Sequence, residues 1–328
     1  MDLVKSVVSV VIPAYNNIAY TTKTLTSILN QSYRPIEIIL MDDKSPLPLE
    51  NMYEKFKINS DLGVSWIFRR NETNLGPYWN LQAGLRLANG RYLIIMPHDD
   101  WFIDQDFVSS AITALSEAPD RFVAIANSRI ENTHQNMMSG EISSGWNVIG
   151  GIDFLKKRLY SDAHPSYSGV VLDLEKLLEL GYMNFFLSKK VAENLGVIPD
   201  ESFISILILA GSGNVVLNGD VVSIRGNPDS SYSKSQEWQG AAGLGVFFSN
   251  YLVYKYFKAK RIVEAKRVSR RALIRLYPVS KIDIKTLKMF NCEIFAIYYL
   301  IMNRFFFIVS PRLRSSELVM RLVRRFRL

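Results

Sequence analysis

The chain has 328 residues, enough for one large domain with an appendage and a full hydrophobic core. Its single cysteine, Cys292, excludes an internal disulfide and is typical of a reducing compartment. The net charge of +8 is uneven: residues 251–328 hold 19 of the 39 Lys and Arg but four of the 31 Asp and Glu, a net of +15, against −7 for residues 1–250. Such a tail predicts an anionic partner surface, either a membrane or a nucleic acid.

The first half of the chain alternates between strand and helix patterns. Residues 1–5 lack a small-residue cleavage site, so we expect no signal peptide. Apolar runs predict strands at residues 7–12, 36–41, 64–68 and 92–96. Helical spacing predicts helices at residues 19–30, 76–88 and 107–115, and Gly90 is expected to stop the second. This order predicts an α/β fold, a right-handed sheet with helices on both faces.

Three acidic pairs lie at the ends of these elements. Asp42-Asp43 ends the second strand, Asp99-Asp100 follows the fourth, and Asp200-Glu201 opens an apolar helix at residues 203–210. The carboxyl ends of parallel strands meet at one sheet edge, where such folds bind ligands. We therefore predict that two of the pairs share a cleft suited to a divalent cation and a phosphorylated substrate.

Several common catalytic motifs are missing from the sequence. No Gly-x-Gly-x-x-Gly follows the first strand, which argues against a dinucleotide-binding domain, and Gly211-Ser212-Gly213 reads as a turn. The sequence has no Walker loop and no Gly-x-Ser-x-Gly elbow. The three histidines lack zinc-ligand spacing.

A series of short motifs resembles a known family. Residues 8–16, 27–33 and 37–45 are followed in order by Asn74-Leu75-Gly76, Asn80, Asn89-Gly90 and Tyr92-Leu93-Ile94. Their order over roughly the first 105 residues resembles family 2 glycosyltransferases, which have the GT-A fold, and in particular those members that build bacterial surface polysaccharides. The resemblance implies a mixed, mainly parallel sheet, a nucleotide-sugar donor and an inverting displacement at the anomeric carbon.

The resemblance also implies Mg²⁺ or Mn²⁺, which would neutralise the leaving diphosphate. The family's Asp-x-Asp motif aligns with Pro97-His98-Asp99, so the first aspartate is replaced by a proline. Asp99 keeps the second position and is the expected metal ligand. His98 is expected to reach the ribose or a phosphate, the alternative being a loop side chain without a role.

The remaining donor residues follow from the same alignment. Asp42 would accept a hydrogen bond from uracil or thymine, which favours UDP- or dTDP-sugars; alternatively Asp42 or Asp43 caps the next helix. Tyr15 would lie beside the base or ribose, or be a core aromatic. Arg225 would lie near the diphosphate, or be an ordinary surface arginine. The predicted nucleotide-sugar site comprises Pro13, Tyr15, Asn16, Asp42, Asn74, Gly76, Asn80, His98, Asp99 and Arg225.

Inversion needs a general base to take the proton of the acceptor hydroxyl. The family uses an aspartate of a Glu-Asp pair at a helix start; here the order is reversed, so Glu201 is the expected base, with Asp200 beside it. The alternative is a helix N-terminus enriched in acid by its dipole. Asp162 and His164 are the next candidates.

We predict three regions: a GT-A domain at 1–226, a flexible loop at 227–245 over the site, and a basic, aromatic-rich helical region at 246–328. Tyr232 and Trp238 of the loop could stack on a sugar. The apolar stretch 290–309 is interrupted by charges and suits an interfacial helix better than a spanning one. The alternative is a helical subdomain packed on the body or on a second subunit of a homo-oligomer.

Together these features predict a cytoplasmic enzyme, peripheral on the inner face of the cell membrane. It would add one hexosyl or deoxyhexosyl unit to a glycan acceptor, lipid-linked, without processivity, since no Gln-x-x-Arg-Trp motif follows. A nucleic-acid partner is not expected, because the tail has no recognised motif. The alternatives are a decayed GT-A protein that binds glycans or membranes, which Pro97 allows, and a sugar nucleotidyltransferase, which lacks its Gly-rich loop.

Overall fold

The computed structural model describes residues 6–60, 62–138, 142–160, 165–181 and 201–226, with the backbone alone at 156–160 and 201–205. The expectations for the loop at 227–245 and the helical region at 246–328 lie outside the described residues. So do those for Asp162, His164 and Asp200.

The described residues form one mixed sheet with helices between its strands. The strands are β1 (Val8–Ala14), β2 (Ile36–Asp42), β3 (Val64–Arg70), β4 (Tyr92–Ile95), β5 (Trp101–Phe102), β6 (Arg121–Ile130), β7 (Trp146–Gly150), β8 (Val170–Asp173) and β9 (Asn214–Arg225). The helices are α1 (Ile18–Leu29), α2 (Glu50–Ile58), α3 (Pro77–Leu85), α4 (Phe107–Ser116), α5 (Gly151–Tyr160), α6 (Leu174–Glu179) and α7 (Glu201–Ser212).

The strand order is β3-β2-β1-β4-β8-β6-β9-β5, and β7 also pairs with β9. Strands β1 to β4 are mutually parallel, β8 is antiparallel to both β4 and β6, and β9 is parallel to β6. Strands β6 and β9 therefore point the same way as β1 to β4, whereas β5, β7 and β8 are reversed. The predicted mixed, mainly parallel sheet is confirmed.

Alternate residues of the central strands face two separate cores. On one face, Val10 and Ile38 pack with Leu25 of α1 and Phe107 of α4. On the other face, Val11 and Ile39 pack with the buried side chains of α3, α5, α6 and α7. Strands buried on both faces explain why their sequences are continuous apolar runs.

Most predicted elements of the first half are present, with shifted ends. Helix α3 ends at Leu85, five residues before Gly90, so the prediction that Gly90 stops it is wrong. Gly90 instead lies against β1: a Cβ there would lie 2.7 Å from the backbone N of Ser9. Among the described residues, no helix is long and apolar enough to cross a membrane.

Candidate active site

The sheet brings the predicted site residues to its carboxyl edge. Strands β1, β2, β4, β6 and β9 all end there, and β8, which runs the other way, begins there. Strand β1 lies between β2 and β4, so the Asp42-Asp43 and Asp99-Asp100 pairs flank the end of β1. The edge therefore gathers Tyr15, Asn16, Asp42, Asp43, His98, Asp99, Asp100, Glu131, Ser166, Ser168 and Arg225.

Asp42 is fully buried and bonded on both carboxylate oxygens. Its Oδ1 accepts from the backbone N of Ser45 at 2.8 Å, and its Oδ2 accepts from the backbone N of Leu49 at 3.3 Å. The Arg70 guanidinium forms an ion pair with Oδ2 and donates to the Ser45 carbonyl at 2.8 Å. In this arrangement Asp42 organises the loop that leads into α2, whose N-cap residue is Leu49. The prediction that it reads a base stays a prediction.

Asp43 joins the end of β2 to the loop between β3 and α3. Its carboxylate accepts from the backbone N of Leu75 and of Gly76, both at 2.8 Å, and from the Asn71 amide at 2.8 Å. Asn71 also donates to Asn80, whose own amide donates to the Met41 carbonyl at 3.0 Å. Asn74 is exposed and accepts from Gly76 N at 3.0 Å. Asn74, Gly76 and Asn80 thus join α3 to the end of β2.

The end of β1 presents exposed groups between the two acidic pairs. Tyr15 is 43% exposed, which excludes the core-aromatic alternative for this residue. Asn16 is exposed, adopts a φ of 53°, and donates its backbone N–H to the Ser45 hydroxyl at 3.0 Å. Pro13 is half-buried, and its backbone carbonyl accepts a hydrogen bond from His98.

The turn after β4 holds His98, Asp99 and Asp100. Burial lowers the pKa of His98, although the charge of Asp99 and the hydrogen bond to Pro13 oppose the shift. A neutral imidazole that donates one N–H keeps its other nitrogen as an acceptor. That His98 reaches the ribose or a phosphate stays a prediction.

Asp99 and Asp100 are neighbours in very different surroundings. Asp100 is 2% exposed, whereas Asp99 is half-buried. Burial raises the pKa of Asp100 to about 7, and Asp99 adds to the rise, while Ser168, Arg225 and Ser166 oppose it. Within the described chain, no group donates a hydrogen bond to the Asp99 carboxylate. Asp99 is therefore the carboxylate of this turn that is left for a ligand.

The donor set suits a cation that arrives with its substrate. Among the described residues, no cluster of three or more His, Cys, Asp or Glu side chains could hold a metal ion. Mg²⁺ commonly binds one or two carboxylates together with substrate phosphates and water. The free carboxylate of Asp99 fits that pattern and could bind such an ion, and a diphosphate would supply further oxygen ligands.

Glu201, the predicted base, is the first described residue of helix α7. Helix α7 begins at Glu201 and ends at Ser212, and Gly213 alone separates it from β9. Since β9 begins at the opposite edge, α7 runs back along the sheet with its N-terminal end toward the carboxyl edge. Arg225, at the end of β9, is exposed and acts on Asp100 through its charge.

One cluster at this edge was missed by sequence reasoning. Glu131, directly after β6, accepts from the Tyr20 hydroxyl at 2.8 Å and lies 3.5 Å from Lys23 Nζ. The same Lys23 amine lies 3.2 Å from the centre of the Trp101 ring. Tyr20 and Glu131 are 111 residues apart, so no local pattern could have found them.

A groove of about 360 Å³ lies between α1 and the segment after the turn. Trp101 borders it, but Lys23 lies over the ring of Trp101. Gln31 and Ser27, which also line it, are already bonded to the backbone at Asp104 and Phe102. The groove is a seam between packed segments, separate from the free carboxylate of Asp99.

Comparison with known proteins shows the family to which the chain belongs. Residues 9–177, more than half of the chain, match the family described as Glycosyl transferase family 2, and the chain belongs to that family. It is 39% identical over 95 residues to the abequosyltransferase RfbV of Salmonella typhimurium, covering 28% of each chain. It is 26% identical over 180 residues to the Campylobacter jejuni GalNAc(5)-diNAcBac-PP-undecaprenol beta-1,3-glucosyltransferase, covering 54% of this chain and 56% of that one.

Solved structures show the same fold. The crystal structure of Staphylococcus aureus TarS 1–349 has a TM-score of 0.51 at 15% identity, covering 83% of this chain and 80% of that chain. Its complex with UDP-GlcNAc has a TM-score of 0.53 at 14% identity, covering 85% and 82%. The matches to RfbV and to the glucosyltransferase each span less than two thirds of those enzymes.

Proposed function

We propose that the protein is an inverting glycosyltransferase that transfers one hexosyl or deoxyhexosyl unit from a UDP- or dTDP-sugar to a hydroxyl of a lipid-linked glycan. The product would serve cell-surface polysaccharide synthesis. The observation that carries the proposal is the carboxyl edge of a GT-A sheet at which Asp99 is free while its neighbours are bonded. The lipid-linked acceptor is supported by the undecaprenol-linked substrate named for the Campylobacter relative.

Donor binding is assigned to the two loops that flank β1. Tyr15 and Asn16 are exposed between them and would contact the nucleoside, with Asp42 and Asn80 holding the surrounding loops. His98 has an imidazole acceptor suited to a ribose hydroxyl, and Arg225 a positive charge suited to a diphosphate. The TarS complex with UDP-GlcNAc supports a nucleotide-sugar donor.

Asp99 would hold a Mg²⁺ or Mn²⁺ ion that arrives with the donor. When bound, such an ion stabilises the negative charge that develops on the leaving diphosphate.

Transfer itself needs a base on the acceptor side. The acceptor oxygen attacks the anomeric carbon, the bond from that carbon to the diphosphate oxygen breaks, and the hydroxyl proton passes to a carboxylate. We assign this carboxylate to Glu201, with Asp200 beside it. The N-terminal end of α7 is directed toward the carboxyl edge, which supports this assignment.

The test is a binding screen on the purified full chain. UDP-, dTDP-, GDP- and CDP-sugars are added with Mn²⁺ or with EDTA, and the melting temperature is recorded. We expect UDP- or dTDP-sugars to raise the melting temperature in the presence of Mn²⁺ and not in the presence of EDTA, because a ligand that binds the folded state stabilises it. Stabilisation by GDP- or CDP-sugars instead would overturn the prediction of a uracil or thymine nucleotide. The assignment as a glycosyltransferase would still stand.

A decayed, non-catalytic protein is the second candidate, because Pro97 replaces a family aspartate. Hydrolysis of the stabilising sugar nucleotide separates the two. An enzyme releases free nucleoside diphosphate slowly even without acceptor, whereas a decayed protein binds the donor and releases none.

A further inference from the structure

The buried neighbour of the free carboxylate has no assigned role in donor binding. We propose that Asp100 is a positioning residue: with Gly226 it fixes the turn that presents Asp99 for metal-dependent donor binding. This inference rests on the proposed function, and it concerns a residue that touches neither donor nor metal.

The Asp100 carboxylate joins three separate parts of the chain. Its Oδ2 accepts from the Ser166 and Ser168 hydroxyls at 3.1 and 2.8 Å, and its Oδ1 accepts from the backbone N of Gly226 at 3.2 Å. Ser168 continues the network to Ser223, at 3.1 Å. The turn after β4 is thereby tied to the segment before β8 and to the end of β9.

Gly226 holds the same turn through its backbone. A Cβ at Gly226 would lie 1.8 Å from the carbonyl oxygen of Asp99 and 3.0 Å from the Trp101 ring. The chain at the end of β9 can therefore lie this close to Asp99 only because residue 226 is a glycine. Because the contact is to backbone, a side chain at this position would push the end of β9 away from Asp99.

Helix α1 holds the turn from the other side. The Thr24 hydroxyl lies 2.9 Å from the His98 carbonyl and 2.6 Å from the Asp100 carbonyl, and Asp100 N donates to the Pro97 carbonyl at 3.0 Å. The backbone around Asp99 is thus held by α1 on one side and by the end of β9 on the other, while the Asp99 carboxylate accepts no hydrogen bond within the described chain. A carboxylate that must meet a cation within a few tenths of an ångström needs such support.

The chain supplies a matched control at the opposite edge. Glu37 is 7% exposed and also accepts three hydrogen bonds, from the Ser9 hydroxyl at 2.5 Å and from the backbone and side-chain N–H of Asn89 at 3.0 Å each. It ties a turn to the sheet far from the site. Glu37→Gln therefore reports the cost of weakening a buried carboxylate network without touching the turn.

The experiment compares full-length Asp100→Asn, Glu37→Gln and the unmodified protein. UDP and dTDP are titrated at a series of Mn²⁺ concentrations by calorimetry, and melting temperatures are recorded. We expect both variants to melt earlier. Asp100→Asn alone should raise the Mn²⁺ concentration for half-maximal nucleotide binding by about tenfold or more, as losses of ligand-orienting groups do. Excess Mn²⁺ should restore binding.

If Asp100→Asn does not fold, Ser168→Ala and Ser166→Ala each remove one of the three donors and should shift the Mn²⁺ requirement in the same direction by less. An Mn²⁺ requirement equal to that of Glu37→Gln overturns the inference, because both networks then serve stability alone. Absence of Mn²⁺-dependent binding of UDP, dTDP, GDP and CDP to the unmodified protein overturns the proposed function, and this inference with it.

Discussion

At the scale of residues, four aspartates at one sheet edge have different environments. Asp42, Asp43 and Asp100 are buried and bonded to donors within the chain, and Asp99 is not. Burying a charge without partners is unfavourable, so the three buried carboxylates are satisfied by backbone N–H groups, hydroxyls and one arginine. Among these four aspartates, Asp99 is therefore the one that we expect to bind a metal ion.

Replacing Asp99 should separate metal binding from folding. We expect Asp99→Ala to abolish the Mn²⁺-dependent part of donor binding and to change the melting temperature little, because this half-buried carboxylate accepts no hydrogen bond within the described chain. Calorimetry with and without EDTA measures both. Donor affinity that responds to neither the mutation nor EDTA would contradict the role.

Asp100 should make stability depend on pH. Its pKa is raised from 3.8 to about 7, so the folded state binds this proton more tightly than the unfolded state does. Its contribution to stability is present at low pH and is lost as the pH rises toward 7. In EDTA, the melting temperature of Asp100→Asn should therefore rise relative to that of the unmodified protein as the pH is raised from about 5 to 7. A constant difference across that range would contradict the shift.

At the scale of elements, α1 reaches the turn through one hydroxyl. Thr24 is fully buried, and we expect Thr24→Val to cost roughly 1–3 kcal/mol, because carbonyls of the turn lose a donor in a buried place. Thr26→Val is the control: this hydroxyl is exposed and bonds only the Thr22 carbonyl of its own helix. Chemical denaturation measures both. Equal losses would show that the cost comes from the helix and not from the turn.

Helix α7 should supply the base at its first residue. We expect Glu201→Gln to lower turnover by at least ~10²-fold with donor affinity nearly unchanged, because the amide keeps the shape of the side chain but cannot take the proton. Asp200→Asn is the matched variant. If Asp200→Asn abolishes turnover and Glu201→Gln does not, the base is one position earlier.

At the scale of the whole molecule, the charge is divided between an acidic body and a basic tail. Residues 251–328 hold 19 Lys and Arg, and each charge near an anionic surface contributes about 1 kcal/mol before screening. We expect co-sedimentation with anionic vesicles that falls with salt, and none with neutral vesicles. Equal binding to both, or none to either, would favour a tail packed on the body or on a second subunit.

Sequence by itself predicted four strands and three helices of the first half in their correct order, because apolar periodicity is local. It also placed two acidic pairs at one sheet edge, since parallel strands end together. It predicted an α3 that is too long, because it indicated Gly90 as the residue that ends the helix. In the structure α3 ends at Leu85, and Gly90 lies in close contact with the backbone of Ser9. It did not predict α2, which buries Tyr53 alone, or β6 and β8, whose burial depends on their neighbours in the sheet.

Only the tertiary structure decided which carboxylate is free. Asp99 and Asp100 are chemically alike, but the Ser166, Ser168 and Gly226 partners of Asp100 lie 66, 68 and 126 positions further along the chain. Likewise, Arg70 reaches Asp42 from 28 positions away across neighbouring strands. The availability of a charged group is set by burial and by its donors, and at this edge those donors are brought in by the order of the strands.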